Sequence, residues 1–220
     1  MSVVCVDDAT PAPPGAWVCP ATTTVECAGP DGATVGKLYT DAGVSCDDAV
    51  LTADIASTFP LGTHDVAVTI TPAQGEASVC HATVSVVDTQ PPVLTSKTTS
   101  LWPPNHKMTS LSPSDCVDVV DTCDPSVRLF FTYATSDEAA DGTGDGATGE
   151  DIVLGCDSVQ LRSERKGNGD ARVYTLGVRA VDDSGNVTDG SCRVIVDHDQ
   201  GKKGAVDSGQ AYRVDAPACP

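Results

Sequence analysis

Between Asp115 and Asp157 the chain carries eleven carboxylates and one basic side chain, Arg128. The stretch Asp141 to Asp151, DGTGDGATGED, sets acids at 141, 145, 150 and 151 among glycines. Carboxylates this dense raise one another's pKa unless a cation relieves the repulsion. Hard Ca²⁺ takes roughly six to eight oxygens, and a glycine-rich loop can wrap around it. The spacing does not fit the EF-hand pattern. The candidate ligands are Asp118, Asp121, Asp137, Glu138, Asp141, Asp145 and Asp151; the alternative is a solvated acidic loop.

Other chemistry is thinly represented. Asp137 and Glu138 could suggest a glycosidase pair, but such carboxylates lie about 5 Å or more apart across a cleft. Adjacent strand residues instead point to opposite faces. No G-x-S-x-G elbow and no H-E-x-x-H occurs, and the chain is expected not to be an enzyme. The segment PPNHKM, Pro103 to Met108, beside Trp102 offers metal or sugar contacts. Its alternative is an extended entry strand with Trp102 and Met108 packed inward. Asn186-Val187-Thr188 fits a glycosylation sequon and is given no role.

These groups must be held by strands. Val, Thr and Ala abound, Gly and Pro punctuate, and no helix-period segment of useful length is present. Apolar alternation marks strands at Ala21 to Ala28, His64 to Ile70, His81 to Val87, Val127 to Thr135, Ser158 to Glu164, Arg172 to Val181 and Cys192 to Val196. Asp88 to Leu94, DTQPPVL, reads as a linker because its prolines cannot continue a ladder. The expected fold class is all-β, two tandem immunoglobulin-like antiparallel β-sandwich domains joined internally by disulfides. The expected divisions are a 1–12 extension or tail of a preceding repeat, domains at 13–90 and 91–200, and a 201–220 extension.

Thirty-one acids against thirteen Lys and Arg give a net charge of -18, which repels nucleic acid and anionic membrane surfaces. Ten cysteines without CxxC spacing point to disulfides and an oxidising compartment. No apolar run is long enough for a membrane span, and no signal-peptide pattern opens the chain. A mature piece of a larger secreted or surface protein is expected.

The first half, PPGAWVCPATTTVECAG through FPLGTHDVAVTI to CHATVSVVDTQPPV, resembles the hyalin-repeat domain, an immunoglobulin-like extracellular module. The second half, from LWPPNHKM through DCVDVVDTCD to RAVDDSGN, looks like a related module of large secreted bacterial proteins, notably of myxobacteria. The order LRSE, strand, AVD is similar to the cadherin arrangement L-x-x-E then A-x-D, whose acids hold Ca²⁺ between tandem sandwiches. That similarity nominates Glu164, Asp182 and Asp183. The hyalin-repeat resemblance implies the pairs Cys19 with Cys80 and Cys27 with Cys46, and by analogy Cys116 with Cys192 and Cys123 with Cys156. Cys5 and Cys219 are left to each other or to partners outside the chain.

The functional expectation is a non-catalytic extracellular structural or adhesion module, stabilised by Ca²⁺, whose partners are Ca²⁺ and a cell-surface protein or polysaccharide. The alternative is a carbohydrate- or protein-binding accessory module of a secreted hydrolase. An exposed Trp102 and Tyr133 would favour that alternative, and buried ones the scaffold.

Overall fold

The computed structural model describes residues 22–35, 49–52, 58–72, 78–140, 149–167, 169–199 and 204–219. They form strands β1 (Thr23–Glu26), β2 (Ala33–Thr34), β3 (Ala49–Thr52), β4 (Thr58–Phe59), β5 (Gly62–Pro72), β6 (Ser78–Val87), β7 (Val93–Ser96), β8 (Thr98–Leu101) and β9 (Met108–Leu111). A single turn of helix, α1 (Pro113–Cys116), leads to β10 (Val117–Val120), β11 (Arg128–Ser136), β12 (Ile152–Leu154), β13 (Val159–Arg162), β14 (Ala171–Val181), β15 (Val187–Asp197) and β16 (Tyr212–Asp215). At the start of the short helix the Ser112 backbone N–H donates to Asp115 Oδ2 at 2.8 Å, the N3 carboxylate reaching back to the N-cap. The described residues are all-β but for one helical turn, and the chain divides into two compact units of packed sheets. One runs to Thr89 and includes Thr122–Asp124; the other comprises Gln90–Asp121 and the chain from Pro125.

In the first unit the sheet order is β1-β6-β5-β3, with β2-β4 as a small second sheet. Along β6, Ala82, Val84 and Val86 are buried while Thr83, Ser85 and Val87 are only half-buried, the period-two pattern of a half-covered sheet. These residues pack with Val66, Phe59 and Ala33. In the second unit a five-stranded sheet, β16-β11-β14-β15-β8, faces β12-β13-β9, with β10-β7 beside them. Its core holds Phe131, Leu161, Tyr174, Leu176, Val178 and Val194. Central β14 is buried on both faces over most of its length, so its sequence shows no clean alternation.

The pairing is not wholly antiparallel. In each unit a short early strand runs parallel to a late long one, β1 to β6 and β8 to β15. Each is only four residues long and is the terminal strand of its sheet, so the edge it presents is short.

Cys116 bonds Cys192, as expected. Cys27 bonds Cys123, not Cys46, and Cys156 bonds Cys219, not Cys123. The latter bond also removes Cys219 from any pairing with Cys5. The register explains both corrections. Cys27 follows β1, whose backbone continues along β6 as Cys27 N–H donates to Val87 O at 2.7 Å. Cys219 follows β16, an edge strand on β11, and Phe131 of β11 donates to Cys156 O. Cys5, Cys19 and Cys46 lie outside the described residues, as do Asp141 and Asp145.

Candidate functional site: a carboxylate cluster and a buried charge network

The second unit gathers its acids at the two ends of β14. At the end where β14 stops, Val181 pairs with Arg128 and with Val187, the first residues of β11 and β15. There Asp182 is fully buried. Its Oδ1 accepts the Asn186 backbone N–H at 2.7 Å and its Oδ2 accepts the Asn186 side-chain N–H at 2.9 Å. Gly185, at φ 90°, lets the chain turn back. Asn186 Nδ2 also lies 3.4 Å from Gln90 O, and Thr188 Oγ1 donates to Pro92 O at 2.5 Å, so this turn adjoins the start of β7. Val93 of β7 pairs with Val120, after which the chain reaches Asp121.

Asp121 belongs to the tightest carboxylate cluster among the described residues. Oxygens of Asp88, Asp121 and Asp124 lie within 4.8 Å of one another. Asp88 and Asp124 are 8% and 6% exposed. Asp88 is set by the exit of β6, where Thr89 N–H and Oγ1 donate to Glu26 at 2.7 and 3.1 Å. Asp124 is set by its neighbour Cys123 and the bond to Cys27. Two oxygens on one Ca²⁺ can be at most about 5 Å apart, given Ca–O distances of about 2.3–2.6 Å. Three hard oxygen donors at this separation therefore fit one such ion, with carbonyls and water completing the shell.

At the opposite end of β14 stands Arg172, wholly buried. Its Nη1 donates to Asp151 Oδ2 at 2.6 Å and to Tyr174 Oη at 3.1 Å, and its Nε to Glu138 Oε2 at 3.1 Å. Glu164 Oε1 is 3.8 Å from Nη1, and Glu164 Oε2 is 3.0 Å from His106 Nδ1. Arg162 Nε reaches Asp151 Oδ1 at 3.3 Å. Burial pushes the Asp151 carboxyl up to about 6; the hydrogen bond it shares with Glu164 adds to the rise, while Arg172 opposes it. Burial likewise raises the Tyr174 phenol, against the pull of Arg172.

This geometry separates residues the sequence had joined. Glu164 sits with Arg172 at the first turn of β14 and Asp182 just past its last residue, about ten residues or roughly 33 Å of strand away. The two do not share an ion. Glu138, Asp151 and Glu164 surround the Arg172 guanidinium, with Arg162 beside Asp151 and His106 beside Glu164. Asp137 is buried, which raises its pKa, and it accepts the Val173 N–H at 2.8 Å. Asp118 is exposed and pairs with Lys97 at 2.6 Å. Asp183 is an exposed neighbour of Asp182. Asp88 and Asp124 were not among the sequence candidates; the available signal was their position, one at a strand exit and one beside a bonded cysteine. Trp102 is 46% exposed, whereas Tyr133 is half-buried beneath Arg213, whose Cζ lies 4.3 Å from the ring centre.

No family model and no curated protein matches the sequence. Among solved structures the chain is similar to protocadherin gamma C5 EC1-3, at TM-score 0.38 and 15% identity, covering 81% of this chain and 66% of that one. It is similar also to PcdhgB3 EC1-4, at 0.32 and 12%, covering 80% and 48%. The human desmocollin-1 ectodomain gives 0.26 and 14%, covering 79% and 35%. The chain thus spans less than two thirds of these proteins' lengths. At such scores the likeness decides nothing about function, which has to come from this chain's own residues.

Proposed function

We propose that the chain is a non-catalytic, Ca²⁺-stabilised structural or adhesion module of a larger extracellular protein, with Asp88, Asp121 and Asp124 as the ion's carboxylate ligands. The observation that carries this reading is the cluster itself, three carboxylates within 4.8 Å with two of them buried. Like charges buried this close raise one another's pKa, and a bound divalent cation relieves that repulsion while using the carboxylates as ligands. Bound Ca²⁺ would hold the Asp88 strand exit against Asp124, beside the Cys27–Cys123 bond. Asp182, held by its own turn against Asn186, would support that end of the second unit. The disulfides Cys27–Cys123, Cys116–Cys192 and Cys156–Cys219 support an oxidising, extracellular setting. No helix among the described residues is long and apolar enough to cross a membrane.

Isothermal titration calorimetry on chelator-stripped protein tests the assignment. Ca²⁺ should bind with a Kd between about 10⁻⁵ and 10⁻³ M, the range of sensor and extracellular sites. D124N should weaken it about tenfold or more by removing one ligand charge, and E164Q should not. Equal binding by wild type and D124N would reject the ligand set.

A further inference from the structure

The loop between β8 and β9, Trp102 to Lys107, has no place in the cation site. From Thr89 to Ser114 the chain has no Asp or Glu, although 31 of its 220 residues are acidic; the run carries Lys97, His106 and Lys107 instead. Among the described residues, Trp102 is the one aromatic side chain exposed to solvent. Lys97 is taken up by Asp118 and the His106 ring by Glu164, so the second unit presents here an exposed indole with Lys107 as the remaining cation of the run.

That loop is held tightly from behind. Ser163 Oγ donates to Pro103 O at 2.8 Å, His106 N–H donates to Ser163 O at 2.9 Å, and Arg162 Nη1 donates to His106 O at 3.0 Å. Ser163 N–H donates to Lys107 O at 2.9 Å, and Lys107 N–H to Asn105 Oδ1 at 3.1 Å. His106 has φ 62°, a left-handed conformation uncommon for a side chain of its size. Its ring is fixed through Nδ1 by buried Glu164, itself backed by Arg172. Such anchoring keeps the loop's shape without a ligand, which lowers the ordering cost of binding.

We infer that the Trp102–Lys107 loop is a recognition site for an acidic saccharide chain, a polyuronate, with the Trp102 indole packing on a sugar ring and Lys107 pairing with a uronate carboxylate. Charge acts locally: Lys107 stands on the acid-free run Thr89 to Ser114, which sets this loop apart from the acidic surface that repels polyanions elsewhere. The flat apolar face selects a ring. A protein partner would need an apolar patch of several hundred Å², and this loop offers a single large apolar side chain amid Asn105, His106 and Lys107. The inference does not depend on the Ca²⁺ reading.

The test is calorimetry and tryptophan fluorescence on the full chain with tetragalacturonate and with neutral galactotetraose, each in EDTA and in Ca²⁺. Tetragalacturonate is expected to bind in EDTA, about tenfold or more tightly than the neutral oligomer, and to weaken with salt. W102A, whose side chain is exposed and whose fold circular dichroism would check, should lose about tenfold in affinity or more, as large aromatic contacts do on truncation. K107E should lose affinity for the acidic oligomer alone. Three outcomes overturn the inference: no acidic oligomer binding, equal binding of the neutral one, or wild-type affinity in folded W102A. Binding that needs Ca²⁺ and ignores W102A would place the oligomer at the carboxylate cluster. Self-association abolished by W102A would make the loop a contact for a second copy.

Discussion

Arg172 shows how a side chain's identity can be plain while its role is hidden. It lies near the start of a strand, yet it is wholly buried and bridges Asp151 and Glu138 from sequence separations of 21 and 34. No local pattern announces contacts that distant. R172M would remove the buried guanidinium shared by Glu138, Asp151 and Glu164 and should lose about 3–5 kcal/mol of stability, read by urea unfolding. R172K should recover only part, since an ammonium cannot make the fork to both acids. A second consequence concerns pH. Asp151 titrates near 6 in the folded protein against 3.8 in the unfolded chain. Between those values the folded state holds the extra proton, so this group's contribution is complete below 3.8 and is lost as pH rises through about 6. The chelated protein should therefore be more stable at pH 5 than at pH 7, by on the order of 1–3 kcal/mol. D151N should flatten that slope. At this scale the sequence identified Asp121, Asp151, Glu164 and Asp182 as notable acids. It could not say which carboxylates already had a guanidinium, because that is decided by strand packing.

Strands were the legible elements. The expected strands Arg172 to Val181 and Val127 to Thr135 differ by a residue or so at each end from observed Ala171–Val181 and Arg128–Ser136. Val187–Asp197 begins five residues before the expected Cys192, because its polar first half pairs with β14 rather than forming a loop. β8 and the edge strand Tyr212–Asp215, each four residues long, left no periodic signal, and alternation along β1 could not say that it runs parallel to β6. Cysteine number and spacing pointed to disulfides but not to which bonds form, since many pairings satisfy one set of positions. Two predictions belong to these elements. Gly177 pairs with Tyr133 beside an irregularity in β11, and a Cβ there would meet the Tyr133 ring at 2.3 Å. G177A should cost about 1–3 kcal/mol, the usual penalty of overpacking. Removing Cys156–Cys219, which spans 63 residues, with a double serine variant should cost about 4 kcal/mol by loop entropy. Hydrogen exchange should then speed up first at Tyr212–Asp215, the strand that this bond tethers.

For the molecule as a whole, a net charge of -18 means that any cation could stabilise the fold simply by screening self-repulsion. A Ca²⁺ effect therefore supports the cluster of Asp88, Asp121 and Asp124 only if it exceeds screening. The two are separable because about 1 mM CaCl₂ adds only about 3 mM to the ionic strength, negligible beside 0.15 M NaCl, where the Debye length is already about 8 Å. In that background about 1 mM Ca²⁺ would stabilise by about 0.4 kcal/mol for a Kd of about 10⁻³ M and by about 2.7 kcal/mol for about 10⁻⁵ M. For a chain of this size that is a rise of roughly 1–10 °C in melting temperature. Mg²⁺ at the same concentration should give a clearly smaller rise, because it demands octahedral geometry at about 2.0–2.1 Å and holds its waters. Differential scanning calorimetry of wild type and a D121N/D124N variant in EDTA, Ca²⁺ and Mg²⁺ makes the distinction. A specific site predicts a Ca²⁺ rise in wild type that the variant lacks. Equal rises with both ions, or an undiminished rise in the variant, would reduce the acidic surface to a diffuse counter-ion atmosphere and remove the cluster from the protein's function.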